Sequence, residues 1–126
     1  MKRKNMEHKI NIFKATENNS YFRQVLMTAS HVQVVVMSIA PQQDIGLETH
    51  SVDQILVFIQ GEAQAYLNDK DFAVSKGDLV LVPAGTKHNF INTGTQDLKL
   101  FTIYSPPEHA SDTVHKTKQQ AEQQEK

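Results

Sequence analysis

The chain has 126 residues with 14 acidic and 13 basic side chains, a formal net charge of −1, and no cysteine. That length fits one domain able to bury a core without cross-links. The missing cysteine excludes disulfides, thiolate metal sites, iron–sulfur clusters and cysteine nucleophiles, leaving His, carboxylate, amide and hydroxyl groups for chemistry.

The basic residues form no aromatic-interleaved patch, so a nucleic-acid partner is not expected. The short cluster Lys2, Arg3 and Lys4 reads as a solvated terminus. No run reaches membrane-spanning length, and no apolar leader follows Met1, which with the cysteine-free composition reads as a cytoplasmic protein without a membrane partner.

In chain order, short apolar or alternating runs predict strands over Lys9–Phe13, Phe22–Met27, Val32–Ile39, Ile55–Ile59, Ala63–Leu67, Leu79–Val82, Asn89–Ile91 and Leu98–Ile103. Turn formers separate them at Pro41–Gly46, Asn68–Asp71, Ser75–Gly77 and Asn92–Thr95. Many short strands with no helix of core length indicate an all-β sandwich or barrel. After Tyr104, Pro106-Pro107 stops the last strand, and residues 116–126 carry no large apolar side chain. Residues 1–105 therefore read as a β-barrel unit with its core in 32–105, and residues 106–126 as a polar C-terminal tail or short helix. Glu108, His109, Val114 and His115 lie where that segment can pack back on the barrel, although surface placement is the ordinary expectation for both histidines.

Strand parity bears on assembly. Gln54, Leu56 and Phe58 share one face of their run while Ile55, Val57 and Ile59 share the other, so both faces are apolar. Val32, Val34 and Val36 against Val35 and Met37 repeat the pattern. An apolar outer face needs a cover, which predicts a homodimer. The alternative cover is the chain's own N-terminal strand.

The chemistry-bearing residues are Glu48, His50, Gln54 and His88. One residue separates Glu48 from His50, which on an extended segment sets both side chains on one side, roughly 6–7 Å apart along the backbone. Gln54 shares their parity, but continuous strand would carry it about 13 Å away. The chain must therefore turn near Ser51-Val52-Asp53, and His88 must arrive from another strand to complete a shell. Taken singly, each of these residues has an ordinary structural role open to it: a satisfied histidine, a surface carboxylate, a buried amide. Their joint occurrence between Gly46, Gly61, Gly77, Pro83 and Gly85 points to a metal site.

These stretches resemble the paired motifs of the cupin family, G(X)5HXH(X)3,4E(X)6G and G(X)5PXG(X)2H(X)3N. Gly77, Pro83, Gly85, His88 and Asn92 match every fixed position of the second. In the first, His50 and Gly61 match, Glu48 replaces the first histidine and Gln54 the glutamate, and Gly46 lies nearer the ligand pair than the opening glycine would. The resemblance covers roughly Val32 to Ser105, and the C-terminal segment is similar to the ends of small bacterial single-domain cupins. It implies an antiparallel double-sheet jelly-roll barrel with the ion inside one end. It implies no particular substrate, because cupins include isomerases, epimerases, dioxygenases, decarboxylases, storage proteins and sensor modules.

Two histidines and one carboxylate with a weak neutral amide make a shell with open positions. It suits one divalent transition metal, Fe, Mn, Ni, Co or Zn, rather than calcium. The open positions would take a small anionic or hydroxy-carbonyl ligand, or dioxygen on iron. By parity, Gln33, Met37, Phe58, Phe90 and Tyr104 are candidates for the pocket lining, although aromatic and methionine residues in a barrel are mostly packing. The expected function is that of a small-molecule metalloenzyme of isomerase/epimerase or oxygenase type, and the alternative is a non-catalytic metabolite- or metal-binding module. No Ser/His/Asp spacing or phosphate-cradling glycine loop is present.

Overall fold

Strand-forming runs and two-residue turns build an antiparallel barrel in a computed structural model that describes residues 8–124. The cluster Lys2, Arg3 and Lys4 lies outside that range. The elements are helix α1 (Ile12–Asn18), strands β1 (Arg23–Thr28), β2 (Gln33–Ile39), β3 (Asp53–Gln60), β4 (Glu62–Leu67), β5 (Lys70–Ser75), β6 (Leu79–Val82), β7 (His88–Asn92), β8 (Leu98–Ser105) and β9 (Val114–His115), and helix α2 (Lys118–Gln124). One sheet has six strands in the order β6-β3-β8-β2-β1-β9, and the other three in the order β5-β4-β7. This is the jelly-roll arrangement expected from the sequence. Among the described residues no helix is long and apolar enough to cross a membrane.

Period-2 patterning sets the core. Val35, Met37 and Ile39 of β2, Leu56 and Phe58 of β3, Ala63 and Ala65 of β4, Phe90 of β7 and Leu98 and Leu100 of β8 point inward and are all buried in one cluster. Burying one such aliphatic or aromatic side chain contributes about 1.5–3 kcal/mol. The chain turns sharply at Gly61 (φ +93°), where a Cβ would stand 3.1 Å from the Asp97 carbonyl oxygen and the Leu98 Cα. Only glycine fits that close approach.

Three elements differ from the sequence expectation: a helix stands where the first strand was expected, and β5 and β9 are strands where none was. Lys9–Phe13 alternates like a strand, but Asn11 caps a helix there instead: its side-chain oxygen accepts from the Lys14 N–H at 3.0 Å, and α1 follows. The stretch Asn68–Asp71 is a turn only at Asn68-Asp69, where Asn68 takes φ +53°; Lys70 and Asp71 already belong to β5. Charged residues suit that strand because it is a sheet edge, with Val74 alone buried along it.

The outer face of the six-stranded sheet is apolar, as parity required. At one end Val36 and Ile59 are buried outside the main core cluster, on the sheet region that α1 covers through contacts with β2, β3 and β8. The chain's own N-terminal cover is thus a helix rather than a strand. At the other end Leu79 and Leu81 of edge strand β6 remain 60% and 55% exposed, beside half-buried Val57 and Ile55, their register partners.

Of the two expectations for the C-terminal segment, tail or short helix, the structure has the helix, α2, and docks it on the barrel. Val114 and His115 pair with Gln24 and Arg23 of β1, and Ala121 of α2 is buried in the core cluster.

Candidate metal centre

The segment from Gln42 to His50 runs as an extra partner along β7. Ile45 N–H donates to the Phe90 carbonyl at 3.0 Å, and Glu48 and His88 exchange both backbone hydrogen bonds at 2.9 Å. Glu48 and His88 are thus directly opposed across a ladder, a spacing of about 5.5 Å between Cα atoms. The His50 carbonyl accepts from Gly85 N–H at 2.8 Å, which ties the segment to the Pro83-Ala84-Gly85 turn before bends at Ser51 and Val52 lead into β3. The turn demanded by the Glu48–Gln54 spacing is therefore present.

Glu48, His50 and His88 converge: one ligand atom from each lies within 4.8 Å of the others. Glu48 Oε1 is 3.2 Å from His50 Nε2 and 4.0 Å from His88 Nε2. Ligands about 2.1 Å from one ion and at right angles stand about 3 Å apart, so the group needs only a small contraction to hold a metal.

The other ring nitrogens are already engaged. His88 Nδ1 donates to the Thr86 carbonyl at 2.8 Å, which fixes the tautomer and leaves Nε2 with a bare lone pair. That Nε2 is buried without a hydrogen-bond partner. On His50, Nδ1 meets Glu108 Oε2 at 3.1 Å while Nε2 faces Glu48.

Electrostatics divides the two histidines. Burial alone would lower the His50 pKa, but the Glu48 and Glu108 carboxylates outweigh it and raise it. Burial lowers His88, with the His50 charge adding to it against the Thr86 carbonyl and Glu48. Glu48 is held below its ordinary value because its hydrogen bond to His50 and the charges of Arg23 and the two histidines outweigh its burial. The Glu48 carboxylate thus favours the charged form of His50, while burial favours the neutral form of His88.

Gln54 is buried on β3 in the opposite sheet, inward-facing with Leu56 and Phe58. Its Nε2 donates to Thr102 Oγ1 at 3.0 Å and Tyr104 Oη at 3.3 Å, and its Oε1 is buried without a partner. If Glu48 and Gln54 served only to satisfy the histidines, His88 Nε2 and Gln54 Oε1 would be paired. Each such orphaned atom costs about 1–3 kcal/mol. Both are lone-pair donors, and His88 belongs to the Glu48/His50/His88 group that could hold a metal ion.

A cavity of about 510 Å³ opens over Glu48 and His50, walled by Thr49 and by the C-terminal residues Glu108, His109, Ala110, Thr113, His115 and Gln124. The lining expected by parity lies deeper. Met37, Phe58 and Phe90 are enclosed in the core, with the two phenylalanine rings 5.6 Å apart. Gln33 is fully buried and clamps the chain at the cavity wall: its Oε1 accepts from the Glu108 and His109 N–H groups and its Nε2 donates to the His109 carbonyl. The Tyr104 ring stands edge-on between His50, at 5.7 Å, and His109, at 5.2 Å. Burial raises the Tyr104 hydroxyl pKa well above its ordinary value, so it stays protonated.

Arg23 and Glu108 have no place in the sequence-derived site. Arg23 is 1% exposed, with Nη2 3.6 Å from Glu48 Oε2 and Nη1 3.2 Å from His115 Nδ1. An arginine at the same inward parity as Val25 was the available signal, since a charge on a core face must meet a partner. Neither histidine has the plain surface placement expected of it: His109 is half-buried in the cavity wall. His115 is buried, and burial together with the nearby Arg23 charge pulls the His109 pKa down to about 4.

The cupin-domain family profile matches residues 35–104. The chain belongs to the cupin family. A crystal structure of a Bacillus halodurans protein superposes with a TM-score of 0.90 at 40% identity, covering 91% of this chain and 92% of that one. YrkC of Bacillus subtilis is 45% identical over 119 residues, or 89% of this chain, which spans 64% of that protein's length. The acireductone dioxygenase of a Picosynechococcus strain is 37% identical over 81 residues, covering 60% of this chain and 45% of the enzyme.

The second cupin motif explains itself locally. Gly77 and Gly85 take φ of +93° and +84°. Asn92 ties the barrel end together by donating to the Ile39 and Gln96 carbonyls while accepting from Gly94 N–H. In the first motif, Gln42 stands at the opening glycine position and keeps the left-handed backbone, φ +69°. The conformation persists where the glycine does not.

Proposed function

We propose that this cupin is a metal-dependent enzyme acting on a small polar metabolite, with Glu48, His50 and His88 as metal ligands and the Gln54 amide oxygen as a weak fourth. The observation that carries the reading is His88: a buried imidazole whose tautomer leaves its Nε2 lone pair bare, within 4.0 Å of a carboxylate oxygen. A divalent Fe, Mn, Ni, Co or Zn ion bound there would supply Lewis acidity or, for iron, oxygen activation. The chain's own residues do the rest. Three protein ligands with one weak amide leave coordination positions open, and the adjoining 510 Å³ cavity has the size of a small-molecule site.

His109 in the cavity wall stays neutral near pH 7, its pKa lowered to about 4, which suits it to hydrogen-bond a ligand there rather than to act as a strong base. The resemblance to an acireductone dioxygenase supports the oxygenase alternative. Since the chain spans only 45% of that enzyme, the barrel serving as a non-catalytic binding module is the second reading. Screening metal-loaded protein against keto acids, sugars and aromatic acids separates them. Turnover supports the enzyme, whereas ligand-dependent stabilisation without turnover supports the module.

We also infer a homodimer through the exposed apolar strip of Leu79 and Leu81 with Ile55 and Val57. Light scattering at micromolar concentration should give twice the chain mass for the natural protein and a lower mass for Leu81→Lys; a monomer in both sinks the dimer.

A further inference from the structure

We propose that Glu108 is a positioning residue of the metal centre, and that the C-terminal segment carrying it, residues 106–124, docks on the barrel in linkage with the ion. The proposal rests on the metal-site reading above and goes beyond it. The family profile ends at residue 104, so the segment lies beyond the matched cupin domain.

Two arms run from this segment to the far sides of two metal ligands. In the first, Glu108 Oε2 holds His50 Nδ1 at 3.1 Å, which turns His50 Nε2 toward Glu48 and the shared centre. A carboxylate behind a ligating imidazole fixes its ring and strengthens it as a donor. Glu108 is itself held, because the buried Gln33 amide accepts from its backbone N–H at 3.1 Å and brackets His109 on both peptide groups. In the second arm an arginine can only donate, so His115 Nδ1 accepts from Arg23 Nη1 at 3.2 Å. His115 Nε2 then carries the proton and donates to Gln124 Oε1 of α2 at 2.9 Å. The other side of the Arg23 guanidinium faces Glu48 Oε2 at 3.6 Å. A third tie joins Lys118 of α2 to Asp44, on the same strand-like segment as Glu48 and His50.

Because both arms end on ligand side chains, an ion that fixes Glu48 and His50 also fixes the groups onto which the segment docks. Linkage is reciprocal, so the factor by which the ion favours docking equals the factor by which docking favours the ion. The segment also walls the cavity, which makes an ordered ligand shell and a closed mouth two aspects of one state.

The test uses the full chain and cobalt(II), titrated by calorimetry, with backbone hydrogen exchange followed by mass spectrometry. We expect Glu108→Ala to weaken cobalt binding by about 10- to 100-fold, with Glu108→Asp recovering most of the loss and Glu108→Gln, which keeps the shape, falling between. Cobalt should slow exchange in residues 106–124 of the natural protein, and that protection should fall in Glu108→Ala by the factor lost in affinity. Natural affinity in Glu108→Ala and Glu108→Gln, or cobalt binding that leaves exchange in 106–124 unaltered, overturns the proposal while leaving the metal site standing. Failure of the natural protein to bind cobalt, iron(II), manganese, nickel or zinc overturns both.

Discussion

His88→Ala separates a metal centre from a purely structural histidine cluster, and its size can be worked out from the local contacts. Without metal the substitution removes one hydrogen bond, His88 Nδ1 to the Thr86 carbonyl, worth about 1 kcal/mol, together with the packing of the ring. It also removes the unpartnered Nε2, whose burial costs about 1–3 kcal/mol. These effects oppose each other, so the metal-free variant should stay within about 2 kcal/mol of the natural protein.

With metal the balance changes. An ion that binds only the folded state stabilises it by about 2.7 kcal/mol at a hundredfold excess over its Kd. For 126 residues, an unfolding entropy of about 2.1 cal/mol/K per residue converts 1 kcal/mol into about 4 °C. The natural protein should therefore gain about 10 °C in Tm at that concentration. His88→Ala, with one of three strong ligands gone, should gain little. Thermal unfolding across a series of metal concentrations, starting from chelator-stripped protein, gives both numbers. An equal metal-dependent rise in the two proteins would refute the assignment of His88.

Two further expectations follow from protonation. His50 carries a raised pKa between its two carboxylates, so an ion must displace its proton at and somewhat above pH 6.5. Metal affinity should then climb by up to about tenfold per pH unit below that pKa and level off above it; calorimetry in buffers of different ionisation enthalpy should show about one proton released, and a flat profile from pH 5.5 to 7 would contradict it. The depressed pKa of His109, about 4, has the opposite consequence for metal-free stability: the unfolded chain binds its proton near pH 6.5 and the folded chain does not. Stability from this group is full above pH 6.5 and falls by up to about 1.4 kcal/mol per unit as pH drops toward 4. His88, also lowered, adds to that slope and His50 opposes it. His109→Gln should therefore lose stability less steeply than the natural protein between pH 6.5 and 4.5 in urea titrations, and parallel slopes would contradict the burial of a neutral His109.

What the sequence made legible was whatever is decided locally. Gly77, Pro83, Gly85 and Asn92 each have a task within a few residues of their own position, and the structure has them performing it. The single-residue spacing of Glu48 and His50 was readable for the same reason, and so was the bend needed before Gln54. Local signals misled where two periodicities compete. Lys9–Phe13 alternates like a strand, yet the Asn11 cap decides for helix. Lys70-Asp71 has the composition of a turn, yet an edge strand accepts those charges on its open side.

The second layer of the site was hidden for a different reason. Glu108 meets His50 across 58 residues of chain and Arg23 meets His115 across 92. Neither pairing leaves a mark at either end except a charge where solvent or a core would be the plain expectation. The C-terminal segment was readable as a polar tail or short helix, and the helix is present, but its docking through Glu108, His115 and Gln124 depends on partners far away in the chain.

The central claim is that Glu48, His50 and His88 hold a divalent transition metal. Elemental analysis of the full chain, prepared without chelators and compared with His88→Ala prepared alongside, tests it most directly. The account predicts close to one transition-metal ion per chain in the natural protein and far less in the variant. Natural protein that carries no such metal, and that takes none up when stripped and offered a hundredfold excess, would contradict it.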